Sequence, residues 1–306
     1  AFDNVVEPLR IIWAGPLQSQ ADMLGGTAPH PATIRWQTTY VDALLKAGAI
    51  VTWIGHQPHR TWPWGPMWVD ATDDATLKRH RSVPYLNVSP FRTQSLNKGY
   101  RQRVRKAARE IEADALVTYN ADPWSRSAAQ AAAEEGVPWF PIILDFLDPG
   151  PDDWGALKAT VSGARGVAFV SAWAFEHAPL RHKFLLPGAV VQRATSREPQ
   201  QRGKERIILY AGSRAAAGGV DRLLEAFSLL QTPNVRLIMT GPGRGYHKDL
   251  WEQTQKLSGV SDLGVVSESE LEALARRADV LVNPRPISSH HSCMNFPSKL
   301  LDYLSY

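Results

Sequence analysis

Apolar positions along the chain fall into short unbroken runs, separated by stretches in which they recur every three or four residues. Arg10 to Ala14 (RIIWA), Ala49 to Gly55 (AIVTWIG) and Asp114 to Asn120 (DALVTYN) are runs of strand length. They do not alternate with polar residues, so they predict strands covered on both faces. Between the first two, Ala32 to Ala47 reads as a helix whose face is set by Ile34, Tyr40, Val41, Leu44 and Leu45, with Gly48 as its stop. Further along, Tyr85 to Ser89 predicts a strand and Leu96 to Glu112 a basic helix carrying Lys98, Arg101, Arg103, Arg105, Lys106 and Arg109. SRSAAQAAAEEG is a helix with a glycine stop, WFPIILDF (Trp139 to Phe146) a strand, DWGALKATVSGA a helix, GVAFVS a strand and AWAFEHAP a short helix. From Pro58 to Asp74 the pattern is lost, which predicts an insertion or surface loop.

Gln192 to Glu205 is polar, charged and without periodicity, and reads as a linker. Strand and helix then alternate again. RIILYAGS leads to the helix VDRLLEAFSLLQ, and NVRLIMTGPGRG to a helix near Tyr246 to Leu257. A weak strand at Gly264 to Val266 precedes the helix SELEALARRA, and ADVLV (Ala278 to Val282) reads as a buried strand. A polar loop follows, with a helix beginning near Pro297. Alternating strands and helices predict an α/β fold of two facing, Rossmann-like doubly wound domains. Their expected bounds are 1–191 and 206–306, joined by 192–205. The second domain is expected to be incomplete, because another strand–helix unit would normally finish its sheet.

Of the 306 residues, 44% are hydrophobic and 21% charged, values of a globular protein rather than a disordered one. A net charge of +4 suits phosphates or an anionic lipid surface but is too weak to indicate nucleic acid. The single cysteine, Cys293, excludes an intrachain disulfide and any multi-cysteine metal site, and favours a reducing, cytoplasmic setting. No apolar run approaches the length of a membrane span. Four of the 11 tryptophans fall between Trp53 and Trp68.

In open parallel sheets ligands bind beyond the carboxyl ends of the strands, which directs attention to the loops there. Pro297 opens a helix whose first turn holds Ser298 and Lys299. Free backbone N–H groups beside a lysine make an anion site. Gly25-Gly26 permits close backbone approach to a phosphate or is an ordinary turn. Gly212-Ser213-Arg214 offers a cation beside a helix entrance, the alternative being a surface arginine. Gly241-Pro242 opens a similar turn that lacks the spacing of a dinucleotide fingerprint. Asp145 ends a strand and either meets a sugar hydroxyl or proton, or caps a loop. His290-His291 lacks suitably spaced partners, so no metal is expected. The basic helix either lies on anionic lipid, with Tyr100, Val104 and Ile111 in its apolar face, or packs on the sheet.

Together RIILYAGS…GGVDRLLEAF, LIMTGPG and VNPR…NFPSKLLDYLS make the chain resemble the retaining glycosyltransferases of family 4, of GT-B fold, in a bacterial subgroup that builds surface polysaccharides. FPIILDFLDP is similar to a segment of related sugar transferases. The resemblance implies a metal-independent transfer from a nucleotide diphosphate sugar, with no other cofactor, to a glycan, lipid-linked or small-molecule acceptor. It implies diphosphate on Arg214, Lys299 and the Ser298 backbone, ribose on Asp302, and Asp145 towards the sugar or acceptor. Asn120, Gly212, Ser213, Gly241, Pro242, Asn295, Phe296, Pro297 and Leu300 complete the expected site, with Gly25 and Gly26 closing over it. Four positions depart from the family pattern, among them Asp302 for its second glutamate and Ser213 for its loop arginine. Its first glutamate falls on Met294, and its loop lysine on Gly218. Met294 and Gly218 motivate the alternative of a non-catalytic nucleotide-binding or scaffold protein; a nucleotide-sugar epimerase is a third reading.

Overall fold

A computed structural model describes residues 7–17, 31–71, 80–144, 154–190, 205–212, 218–230, 232–241, 252, 254, 257–285 and 298–305. These residues form two compact units that divide between Ala189 and Val190. The expected linker at 192–205 lies, except for Glu205, outside the described residues.

The first unit is built on a seven-stranded parallel sheet in the order β4-β2-β1-β6-β7-β8-β9. The central strands are β1 (Arg10–Ala14), β2 (Ile50–Gly55), β6 (Ala115–Tyr119) and β7 (Trp139–Ile143), with β4 (His80–Ser82) at one edge. At the other edge lie β8 (Val167–Phe169) and β9 (Lys183–Leu185). Ile12, Ile54 and Leu116 are fully buried, as expected of runs with no polar alternation. Each contributes about 1.5–3 kcal/mol by leaving water. Helix α1 (Pro31–Lys46) connects β1 to β2, α2 (Phe91–Ile111) precedes β6, and α3 (Pro123–Glu134) joins β6 to β7. Two shorter helices, α4 (Trp154–Thr160) and α5 (Ala172–His177), follow.

Two expectations need correction in this unit, and of the two alternatives for the apolar face of the basic helix the structure shows packing on the sheet. The strand at Tyr85–Ser89 shrinks to β5 (Tyr85–Leu86), which pairs antiparallel with β3 (Trp68–Val69) and not with the main sheet. Asn87, buried, turns its amide to the carbonyls of Arg60 and Pro66 instead of continuing a ladder. Helix α2 begins five residues earlier than its apolar positions suggest. Its apolar face does not meet lipid, because Tyr100 and Val104 are fully buried in the core against α3 and the sheet.

The second unit carries a four-stranded parallel sheet in the order β12-β11-β10-β13. Its strands are β10 (Arg206–Ala211), β11 (Val235–Thr240), β12 (Val260–Gly264) and β13 (Val280–Leu281). Helix α6 (Val220–Ser228) follows β10, α7 (Glu268–Arg277) precedes β13, and α8 (Ser298–Leu304) comes last among the described residues. Ser267 and Glu270 close α7 with a reciprocal capping box. The strand expected at Gly264–Val266 lies four residues earlier, since Val260 pairs with Leu237 on β11. Nor is β13 the buried strand expected from ADVLV. It is two residues long, its only partner among the described residues is β10, and Val280 is 51% exposed.

Candidate functional site

In the second unit the chain goes to one side of β10 for β11 and β12 and to the other for β13. Such a reversal opens a crevice at the carboxyl ends of the two adjacent strands, the usual ligand position in doubly wound sheets. Lys299, Asp302 and Tyr303 stand on one face of α8, three and four residues apart. The Tyr303 hydroxyl accepts from the Ala211 backbone N–H at 2.9 Å and donates to the Val282 carbonyl at 3.1 Å. It therefore bridges the ends of β10 and β13 and fixes α8 over the crevice.

Lys299 Nζ donates to the hydroxyl of Tyr210, itself fully buried on β10, at 2.9 Å. Burial, and then the neighbouring positive charge of Arg285, pull the ammonium down from its usual 10.5 to about 8. Among the described residues no carboxylate pairs with Lys299. A desolvated cation beside a second cation is stabilised by an anion, and a diphosphate would serve both.

The glycines of this unit have close neighbours within the chain. A Cβ on Gly212 would lie 2.1 Å from Cε and 2.6 Å from Nζ of Lys299, so the glycine makes room for the lysine to reach Tyr210. A Cβ on Gly241 would lie 2.3 Å from the Gly212 carbonyl oxygen. The close approach at Gly241 is thus to protein backbone. Gly219, at φ 78°, caps α6 against the Pro284 carbonyl and brings that helix start beside Arg285.

Sequence reasoning assigned Arg285 no role. The available signal was a cation three residues past the end of an apolar run that closes a strand. Asp302 is half-buried on the face of Lys299, whereas Leu300 is 41% exposed and off that face. Helix α8 begins at Ser298 and is seven residues long, with Lys299 and Asp302 as its charged residues. Gly25, Gly26, Asp145, Ser213, Arg214, Pro242, Asn295, Phe296 and Pro297 lie outside the described residues, as does Met294.

In the first unit the corresponding reversal falls between β1 and β6. Asn120 sits there in a left-handed conformation at φ 59°, and its side-chain oxygen accepts from the Leu144 N–H at 2.9 Å. Asn120 therefore ties the end of β6 to the residue before Asp145. His56, just past β2, is a second residue that sequence reasoning missed. It is buried, its Nδ1 lies 2.7 Å from the Tyr100 hydroxyl, and the Tyr100 ring stacks on Trp124 at 4.4 Å. Burial and then the Arg92 charge lower it to about 3. A group this weakly basic holds no proton near neutral pH, so its role in this arrangement is packing and hydrogen bonding. Among the described residues no cluster of three potential metal ligands occurs.

Comparison with known proteins bears first on the second part of the chain. Residues 191–302 match the family model described as glycosyl transferases group 1. The fold is that of GT-B glycosyltransferases, α/β with parallel sheets in a Rossmann-like two-domain architecture. Among individual structures, the chain is similar to the apo form of the lipopolysaccharide outer core galactosyltransferase WaaB, with a TM-score of 0.57 and 14% identity over 97% of this chain and 78% of that one. A glycosyltransferase from Rickettsia africae is similar with a TM-score of 0.58 and 14% identity, over 91% of this chain and 73% of the other. The Anabaena protein HepE, solved in complex with UDP and glucose, aligns with a TM-score of 0.51 and 13% identity over 89% and 73% of the two chains. No curated protein matches the chain in sequence.

Proposed function

We propose that the chain is a retaining glycosyltransferase that moves a sugar from a nucleotide diphosphate sugar to an acceptor hydroxyl, in polysaccharide or glycoconjugate synthesis. One observation carries this reading. A half-buried lysine with no carboxylate partner among the described residues stands beside an arginine, at the strand-end crevice of the unit that matches a glycosyltransferase family model. UDP and glucose in the HepE structure, which shares the fold, also support it.

In this reading Lys299 and Arg285 hold the diphosphate, with Arg214 as a further cation, and Asp302 faces the ribose. The bond from the anomeric carbon to the diphosphate oxygen breaks as the bond to the acceptor oxygen forms on the same face. The acceptor proton passes to the leaving phosphate. Charge gathers on that phosphate, and fixed cations and N–H donors there are worth about 2.7–4 kcal/mol each. The two cations occupy the electrostatic position of a divalent metal, so the proposed reaction runs without one.

Calorimetry with UDP, GDP and their sugars tests the assignment. Binding of one nucleotide, lost in Lys299→Ala together with Arg285→Ala, is the expected result. Binding unchanged in that double variant would remove the assignment, and binding of none would favour the scaffold alternative. Release of nucleotide that continues in a chelator, with the product anomer matching the donor, is expected for the full reaction.

A further inference from the structure

The loop from Arg60 to Val69 presents aromatic residues to solvent in an organised way. Trp62, Trp64, Met67 and Trp68 are between 50% and 79% exposed, and Phe91, at the start of α2, is 53% exposed. The loop is not loosely attached. Asn87, fully buried, donates from its side chain to the carbonyls of Arg60 at 2.7 Å and Pro66 at 2.8 Å. Its backbone accepts from Trp62 N–H at 3.0 Å and donates to the Met67 carbonyl at 2.8 Å. Arg92 adds a bond to the Thr61 hydroxyl at 3.0 Å. Four hydrogen bonds from one buried residue hold both ends of a loop whose large side chains point outward.

Beside this loop lies a groove of about 500 Å³, walled by Trp68 and by Lys98, Arg103 and Lys106 of α2, with no acidic residue in its lining. The cations of α2 divide into two sets. Arg101 and Arg105 pair with Glu134 of α3, and Arg109 with Glu135. On the groove side, Lys98 and Arg103 have no carboxylate partner among the described residues, and Lys106 reaches only Glu110, at 3.6 Å. Aromatic residues next to cations match the boundary between headgroups and acyl chains, where tryptophan accumulates and lipid phosphates are available.

We propose that this face of the first unit docks on an anionic lipid bilayer, with Trp62, Trp64 and Met67 entering the interface and Lys98, Arg103 and Lys106 meeting lipid phosphates. The partner is chosen by charge complementarity. Two copies of this chain would bring like charges together, and a soluble polyanion would leave the tryptophans without a counterpart. Among the described residues no helix is long and apolar enough to cross a membrane, so the contact is peripheral. It is separate from the proposed donor site and stands whether or not that reading holds.

Co-sedimentation with vesicles of phosphatidylcholine alone, or with one-third phosphatidylglycerol by composition, tests the proposal. The chain is expected to sediment with the anionic vesicles only. Removing one groove cation, by Lys98→Ala or Arg103→Ala, should weaken partitioning about five-fold. Lys46→Ala, a cation of α1 outside the groove, should leave it unchanged. Trp62→Ser with Trp64→Ser should also weaken it, with a thermal melt matching the parent because both side chains are exposed. Failure of the parent to sediment overturns the proposal. So does binding that survives loss of both tryptophans, which would mark a site for soluble polyanions. A tryptophan-dependent dimer by analytical ultracentrifugation, without vesicle binding, overturns it in favour of self-association.

Discussion

Lys299 Nζ lies 2.9 Å from the Tyr210 hydroxyl and 4.5 Å from the centre of the Tyr210 ring, so one buried aromatic side chain positions the lysine at the strand-end crevice. The tyrosine hydroxyl accepts this bond, and no carboxylate among the described residues pairs with the lysine. Lys299→Ala should therefore reduce nucleotide affinity by about 1.5–3 kcal/mol, or roughly 10- to 150-fold. Calorimetry measures this directly, and affinity within two-fold of the parent would remove Lys299 from the site.

Nucleotide binding should depend on alkaline pH. The folded chain holds the Lys299 proton less tightly than the unfolded chain, at about 8 instead of 10.5. The charged lysine thus costs stability below about 8, and that cost is relieved as pH rises from about 8 towards 10.5. A bound diphosphate acts in the opposite sense by favouring the charged form. Binding should take up a proton between about pH 8 and 9, and affinity should fall by up to tenfold per pH unit above about 8. Calorimetry in two buffers of different ionisation heat at about pH 8.5 would read zero uptake if the lysine were not involved.

Gly212→Ala should act through Lys299. The added methyl displaces the end of the lysine side chain from the position it takes over Gly212. Nucleotide affinity should fall towards that of Lys299→Ala, and the double variant should lose little more than either alone. Fully additive losses in this cycle would show that Gly212 contacts the nucleotide independently.

Tyr303→Phe removes the hydroxyl shared by Ala211 N–H and the Val282 carbonyl. An unsatisfied buried donor costs about 1–3 kcal/mol. The urea midpoint of the second unit should fall accordingly, with the slope unchanged. An unaltered midpoint would mean that water or a shifted β13 restores both bonds.

His56 links acid stability to the core of the first unit. Its protonation falls from the usual 6.5 to about 3 on folding, because burial opposes the charge. The unfolded chain binds the extra proton between these values, so stability present above about 6.5 declines as pH falls towards 3. The slope is about 1.4 kcal/mol per pH unit in that window. His56→Phe should flatten the profile between about pH 6 and 4, and an unchanged profile would refute the shift.

The parallel framework was readable because β1, β2, β6, β7, β10 and β11 are apolar runs that need no alternation. β12 was misplaced since Ser261 and Asp262 interrupt its apolar character. The first five residues of α2 carry little periodic signal, so its start was set too late. At the site, Lys299 stood out through its local motif. Arg285 did not, because its charge acts on Lys299 from a place well separated from it in the sequence. Gly212 is legible only as part of a turn that offers a cation beside a helix entrance, and packing shows that the Lys299 side chain lies against it. His56 is a single polar residue after an apolar run, and nothing local distinguishes it from a loop residue.

The division of the α2 cations gives that helix a charge moment. Charges neutralised by Glu134 and Glu135 contribute little field at a distance, while Lys98 and Arg103 project theirs on the groove side. A diffusing molecule with such a moment experiences a torque near a charged surface and arrives already turned to one orientation. Pairing of some of the α2 cations thus favours an approach led by the unpaired ones, before any contact forms.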